Sequence, residues 1–400
     1  MAARVVSSDV SLNTNLANFR QQKHSVRNLG DGMYSIVEAT ITRRAFNKAH
    51  SDVSDLNYEN PPVDDIARRV AAKLAATKVF KHRNAAAITR EARIIAALAQ
   101  HRNTNIVNFY PRSKWTEAGA TLNNEYWYDL EMLSGGSLVQ LDQTLRATYD
   151  QPSIQLPVAF CWHMAEQLFS ALLLVHFDGA GRSRYCHADI KKSNILIRPS
   201  RNNDNSYPDV VLTDFGRTVE LPANEQDDDI IHKFWERQVK ECQTLGAIIT
   251  SFNPQRDRAL HDLISDIGRL DLTAPDNNGN QPTRNIHLEA AVNNIINAAR
   301  THLNANAFEP LQERVLQRID RRCLSDSALR NFVRGLINTD YPTATRAGRS
   351  GTGRRSARQT RESPDVLRRP MSDRPGVQTR AQRAAAAPQP VVGRARRARR

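Results

Sequence analysis

Two short apolar runs constrain this chain more than any other feature of it. Ile195-Leu196-Ile197 and Val210-Val211-Leu212 flank RPSRNNDNSYPD, a linker of Pro, Asn, Asp and Ser. Apolar runs bounded by such turn formers read as the strands of an antiparallel hairpin. In that geometry the start of the first strand lies beside the end of the second. Asp189, Lys191 and Asn194 stand just ahead of the first run, and Thr213-Asp214-Phe215-Gly216 ends the second. The hairpin therefore brings two carboxylates and an amide oxygen to one end, a set of hard oxygen donors suited to Mg2+.

The residues before this hairpin read mainly as strands. From Ser25 to Ile41 the pattern is strand, glycine turn and strand, with Ser35, Val37, Ala39 and Ile41 on one face. Leu74 to Phe80 reads as a buried strand, and further strands are expected around Ile106 to Tyr110 and Tyr126 to Met132. Residues 42–72 look inserted; they are polar, break at Pro61-Pro62, and predict a short helix around Ile66 to Ala75. Ala85 to Gln100 has helical period, with Ile88, Ala92, Ile95 and Leu98 on one face. Glu91 projects from that same apolar face, where an unpaired carboxylate is costly. Lys78 on the preceding strand is its expected partner. Beyond Gly135-Gly136 the pattern is mainly helical. The chain is thus α+β, a strand-rich part and a helix-rich part joined near Glu131 to Gly136.

The polar residues around the hairpin resemble the catalytic loop and metal-binding motif of the eukaryotic-like protein kinases. The family's His-Arg-Asp, its Asn five residues on, and its Asp-Phe-Gly stand here as His187-Ala188-Asp189, Asn194 and Asp214-Phe215-Gly216. The resemblance implies a two-lobed protein kinase fold with ATP and Mg2+ as cofactors. Residues 1–22 would be a flexible leader and residues 23–340 the kinase domain. Within it, 23–133 would form the N-lobe, with insertion 42–72, and 134–340 the C-lobe. By position, Asp189 would accept the hydroxyl proton of a protein substrate and Lys191 would steady the migrating phosphoryl group. Asn194 and Asp214 would hold Mg2+. Lys191, two residues after Asp189, is typical of serine/threonine kinases.

The nucleotide-binding positions follow from the same resemblance. Leu29, Gly30, Gly32 and Ser35 correspond to the glycine-rich loop, where absent side chains let backbone close over phosphates. Lys78 would hold the α and β phosphates and pair with Glu91. Leu130 would be the gatekeeper, and backbone groups of Glu131 and Leu133 would bond the adenine edge. Val37, Ala76 and Leu196 would sandwich the ring.

Four departures from the family qualify the substrate more than the chemistry. Ala188 replaces the arginine that clamps a phosphorylated activation loop, no Ala-Pro-Glu follows Gly216, Glu241 stands where the family has Asp, and the stretch from Val37 to Lys78 is long. The main reading is a serine/threonine protein kinase; the alternatives are a nucleotide-binding pseudokinase scaffold and a small-molecule kinase. Charge separates the chain again. Residues 341–400 carry 16 Arg against 3 acidic residues, so they hold all but one of the +14 net charges. Such a segment is expected to be disordered and to contact nucleic acid nonspecifically or an import receptor. Cys161, Cys186, Cys242 and Cys323 form no Cys-x-x-Cys pair, which fits an intracellular, reducing setting, and the tail makes the nucleus a destination beside the cytoplasm. Val158 to Phe177 is apolar but carries His163, Glu166 and Gln167, so it reads as a buried helix and no membrane is expected. The missing regulatory elements, the insertion and the basic tail would suit a kinase encoded by a pathogen or virus and acting inside a host cell.

Overall fold

The computed structural model describes residues 19–54, 62–81, 85–101, 103–110, 127–147, 156–177, 184–199, 207–252, 257–270, 285–305, 308–311, 315 and 325–340. The basic segment 341–400 and most of the leader lie outside them. Residues 19–22, at the leader's end, are helical, and the ring of Phe19 is fully buried, edge-on to Trp127 with centroids 6.0 Å apart.

Five strands form the first lobe's sheet: β1 (Lys23–Asp31), β2 (Ser35–Thr42), β3 (Ala75–Phe80), β4 (Phe109–Tyr110) and β5 (Trp127–Glu131). Their order is β1-β2-β3-β5-β4 with every pair antiparallel. A buried polar cluster crosses four of these strands. Lys23 Nζ donates to Thr77 Oγ1 at 3.0 Å and pairs with Asp129, which also accepts from Thr77 Oγ1 at 2.6 Å. Thr40 Oγ1 lies 2.7 Å from Thr77 Oγ1. A one-residue slip would turn these groups to the other face and leave them unpaired, so the cluster favours this register.

The segment read as inserted holds, among its described residues, two helices, α1 (Arg43–Ser54) and α2 (Val63–Ala71). α2 starts and ends earlier than the expected Ile66 to Ala75, because Pro62 suits the position just before a first turn and the chain must be extended again at Ala75. The apolar faces of α1 and α2, Phe46, Ala49 and Val53 with Ile66, Ala67 and Val70, form a small core of their own. Leu329 and Val333 complete it, and they belong to the last described helix, Asp326–Asp340. Phe332 of that helix meets Phe46 edge-on at 6.3 Å, and Arg330 pairs with Asp64 at 2.7 Å. A helix that sequence order assigns to the second lobe therefore packs on the insertion of the first. Val333 is fully buried there, so Val333→Asp should cost about 3 kcal/mol through an unpaired buried carboxylate. Amide exchange should quicken first in α1 and α2; a variant with wild-type protection there would disprove the docking.

The second lobe is built on α4 (Leu138–Ala147), α5 (Val158–His176), α6 (Asp228–Thr250), α7 (Arg258–Ile267) and α8 (Ile286–Ala305), where α3 is the first lobe's helix Ala85–Ala99. The helix Asp326–Asp340 is α9. α5 is long and apolar enough to cross a membrane, yet it is the central helix of this lobe, with Phe160, Trp162, Leu168, Phe169 and Leu172 buried in the main core. α7 crosses α6 at Gly246, where an added Cβ would come within 2.2 Å of Ile264 Cγ2, so a larger residue would force the Ile264 side chain to shift. Asp227 caps α6, its Oδ1 accepting from Asp229 N at 2.9 Å. Two small ribbons complete the lobe. β7 (Ile195–Arg198) pairs with β8 (Asp209–Leu212) antiparallel, Ile195 opposite Leu212, and β6 (Tyr185–Cys186) pairs with β9 (Val219–Glu220).

Candidate active site

The expected hairpin forms, and its open end assembles the site. Thr213 N donates to Asn194 O at 2.9 Å, which ties the end of β8 to the start of β7. Asn194 Nδ2 donates to the carbonyl of Asp189 and to its Oδ2, each at 2.9 Å. With its nitrogen so committed, Asn194 keeps Oδ1, which accepts from Ser193 Oγ at 3.4 Å and has a second lone pair to face a cation. Lys191 Nζ sits 2.6 Å from Asp189 Oδ2, and Arg217 lies 3.8 Å from Asp189 Oδ1. Asp189 thus stands between two cations at the mouth of the cleft.

From the first lobe, β3 brings Lys78 and α3 brings Glu91. Lys78 Nζ contacts Glu91 Oε1 at 2.7 Å and Asp214 Oδ1 at 2.9 Å. One cation therefore links the sheet, the helix and the Asp-Phe-Gly turn. Burial pulls the Lys78 ammonium down, but Glu91 and then Asp214 outweigh it, so its pKa stands above the ordinary value. Burial pushes the Asp214 carboxyl up, and Lys78, His187 and Lys191 together bring it below the usual carboxylate range. Both groups are charged at neutral pH. Asp214 has a left-handed backbone, φ 64°, and its side chain stays 44% exposed toward the cleft. That backbone is disfavoured for a residue with a Cβ by about 1 kcal/mol, a strain that aims the carboxylate out of the core. The ring of Phe215 goes inward instead, 4.8 Å from that of His187.

A cavity of about 550 Å³ lies between these groups, with Gly32, Ser35, Lys78, Glu91, Asp189 and Asp214 on its wall. Gly30 has no neighbour within 4 Å of an added Cβ, and neither it nor Gly32 has a positive φ. The fold does not itself need glycine at position 30. Leu29, Gly30, Val37, Ala76, Glu131, Leu133 and Leu196 lie outside this wall. Among them, Val37 sits opposite Lys78 in the sheet, Ala76 opposite Leu130, and Leu196 is bridged to Ser137 at the start of the second lobe.

Glu131, at the hinge, is tied to both lobes. Its backbone N donates to Asn108 O at 2.9 Å. Its buried carboxylate takes Arg198 Nη1 at 2.7 Å and Asn108 Nδ2 at 2.8 Å. Arg198 in turn pairs with Asp209 at 2.8 Å, and Gln167 of α5 donates to Asp209 at 3.2 Å. This chain of charge-assisted bonds anchors the hinge to the second lobe. Sequence reading missed it because Glu131 and Arg198 are 67 positions apart and no motif pairs them.

Glu241 on α6 is the support beneath the catalytic loop. It accepts from His187 N at 3.0 Å and from Ala188 N, and its Oε2 lies 2.9 Å from His176 Nε2. Ala188 also has a positive φ, 59°, which these bonds hold in place. Burial pushes the Glu241 carboxyl up, but the hydrogen bond and charge of His176, with Ala188 N–H and His187, leave it below its usual value. Glutamate thus does here what the family's aspartate position requires. On the other flank, Arg93 of α3 pairs with Glu220 at 2.6 Å, Arg184 reaches the same carboxylate at 3.7 Å, and Arg90 donates to Thr218 O. The segment after Asp-Phe-Gly is therefore held to α3 by side chains the chain itself encodes.

His187 has a pH signature. Its Nε2 lies 2.9 Å from Thr213 O and must donate, which leaves Nδ1 to accept from Asp189 N at 3.3 Å. Burial lowers its pKa below the ordinary 6.5, against Glu241, the Thr213 carbonyl, Asp214 and Asp189, which favour the charged ring. Below pH 6.5 the unfolded chain therefore binds a proton that the folded one resists, and stability falls as pH falls. The urea midpoint should decline as pH drops below 6.5, and His187→Gln should flatten that decline. An equal decline in the variant would assign the effect to other groups.

A two-lobed arrangement of this kind, with a lysine–glutamate pair, an Asp-Phe-Gly turn and a catalytic loop around one cleft, defines the protein kinase class. Residues 63–236 match the family model of the protein kinase domain, a match that supports the eukaryotic-like protein kinase superfamily for this part of the chain. No curated protein matches the chain.

Proposed function

We propose that this protein is an ATP- and Mg2+-dependent serine/threonine protein kinase that transfers the γ-phosphoryl group to protein hydroxyls. The observation that carries the reading is Lys78, in contact with Glu91 and Asp214 at once and facing Asp189 across the cavity. Among the described residues no three His, Cys, Asp or Glu side chains gather to hold a metal by themselves. That fits Mg2+, which takes one or two protein oxygens and completes its shell with phosphate and water. Asp214 and Asn194 Oδ1 would hold it, and when bound it would neutralise charge on the phosphates.

The chain's own groups supply the rest of the chemistry, which is chiefly positioning and charge neutralisation. Lys78 holds phosphate oxygens, and Glu91 keeps that lysine extended. Asp189 orients the acceptor hydroxyl and takes its proton as the new bond to the γ-phosphorus forms and the bond to the departing ADP oxygen breaks. Lys191 and Arg217 offset charge at the same point. Lys191 also supports serine or threonine as the acceptor.

A small-molecule kinase is the second reading, favoured by one observation: only seven residues, 221–227, link β9 to α6, so little chain is left to dock a peptide. Incubation with ATP, Mg2+ and generic acceptor proteins separates the two. Phosphoserine or phosphothreonine on the acceptors is the expected result. Tight ATP binding with no protein labelled would reject the protein-kinase reading.

A further inference from the structure

A second cavity, of about 380 Å³, opens on the far side of the catalytic loop from the nucleotide cleft. Asp189 lines both, so whatever fills the second lies beside the acceptor end of the reaction. Its wall is otherwise Cys186, Ala188 and Ile190 from the loop, with Arg237, Lys240 and Thr244 above Glu241 from α6. Two features leave it open. Ala188 contributes only a methyl group, and the short 221–227 connection leaves this stretch of α6 in solvent, with Arg237 and Lys240 both exposed.

The charges on that wall do not cancel. Both oxygens of Glu241 are spent on His176 and on the N–H groups of His187 and Ala188. Asp189 is paired with Lys191. Arg237 and Lys240, three residues apart and so on one helix face, have no ion pair among the described residues. The other acids of α6 point elsewhere. Glu236 is turned about 100° from Arg237 toward His232, and the acidic first turn ends at Asp229, about 12 Å back along the axis. What remains is a concave site in which two cations, without an ion pair among the described residues, lie next to the acceptor position.

We propose that this cavity seats an anionic side chain of the protein substrate, and that Arg237 and Lys240 select substrates carrying such a group near the acceptor hydroxyl. The inference rests on the protein-kinase reading above. Guanidinium and ammonium together suit either a carboxylate or a phosphate, and a phosphate, with nearly twice the charge, is held more strongly. The arginine-rich segment 341–400 has the wrong sign to occupy it.

The test uses the full-length chain with Mg-ATP and a set of peptides around one serine. Each flanking position carries in turn Asn, Asp or phosphoserine. Wild type should prefer Asp to Asn by about tenfold in kcat/KM at one or two positions, and phosphoserine more strongly still. Raised salt should shrink the preference. In Arg237→Ala/Lys240→Ala the acidic-to-neutral ratio should fall toward one, and in Arg237→Glu/Lys240→Glu it should invert. Because the ratio is taken within one preparation, a change in folded fraction cancels. A wild-type ratio near one at every position overturns the proposal, as does a preference that survives both double variants. Preference for phosphoserine alone would assign the site to phosphorylated substrates. Transfer to none of the peptides, with ATP bound, would overturn the kinase reading itself and the subsite with it.

Discussion

Asp189→Asn should lower phosphoryl transfer by about 10² to 10⁴ while leaving the fold and ATP affinity nearly intact. The substitution keeps the shape of the side chain and its ability to accept from Asn194 Nδ2, now at 2.9 Å. It removes the negative charge and the site for the hydroxyl proton. Lys191 loses an ion-pair partner, but it is half exposed and its desolvation cost is small. The effect should therefore fall on kcat, with thermal stability and ATP binding changed little. Equal losses in both would mean that Asp189 holds the loop together and does not act in the chemistry. Near-wild-type transfer would remove it from the mechanism altogether.

Glu241→Ala should be the most damaging single change outside the cleft. It strips the acceptor from two backbone N–H groups and from the ring of His176, which is fully buried. Buried donors left without an acceptor cost about 1–3 kcal/mol each, so a total loss of about 3–5 kcal/mol is expected. Ala188, at φ 59°, loses the bonds that offset its strained backbone, so the loop carrying Asp189 should relax away from the cleft. Thermal unfolding and single-turnover transfer together check this. Glu241→Asp should recover part of both, because the shorter carboxylate keeps the charge; identical behaviour of the Ala and Asp variants would count against the bridging role.

Much of the site was legible in the chain. The hairpin β7–β8 followed from two apolar runs and a turn-rich linker, and its strands pair as that pattern requires. Helical period put Glu91 on an apolar face, where a carboxylate must find a cation; the neighbouring strand and the family resemblance named Lys78, and the two are 2.7 Å apart. Local signals of this kind survive because strand pairing and helix periodicity are set by near neighbours.

Other features depended on contacts between residues remote in sequence. Arg198 is separated from Glu131 by 67 positions, and nothing in either neighbourhood marks them as partners. The helix Asp326–Asp340 has an apolar stripe that fits any core, and only its packing against Phe46 and Ile66 shows which one it covers. The open face of α6 beside Asp189 was likewise invisible, since exposure of a helix depends on what the rest of the chain leaves uncovered.

The sequence by itself thus determined the class of fold, the lysine–glutamate pair and the converging polar groups at the hairpin's end. Tertiary structure alone decided where the last described helix docks, how the carboxylates of Glu241 and Glu131 are spent, and which cations of α6 face the second cavity. The physical reason is that periodicity and turn chemistry act over a few residues. Burial and charge pairing are settled only when distant segments compete for the same partner.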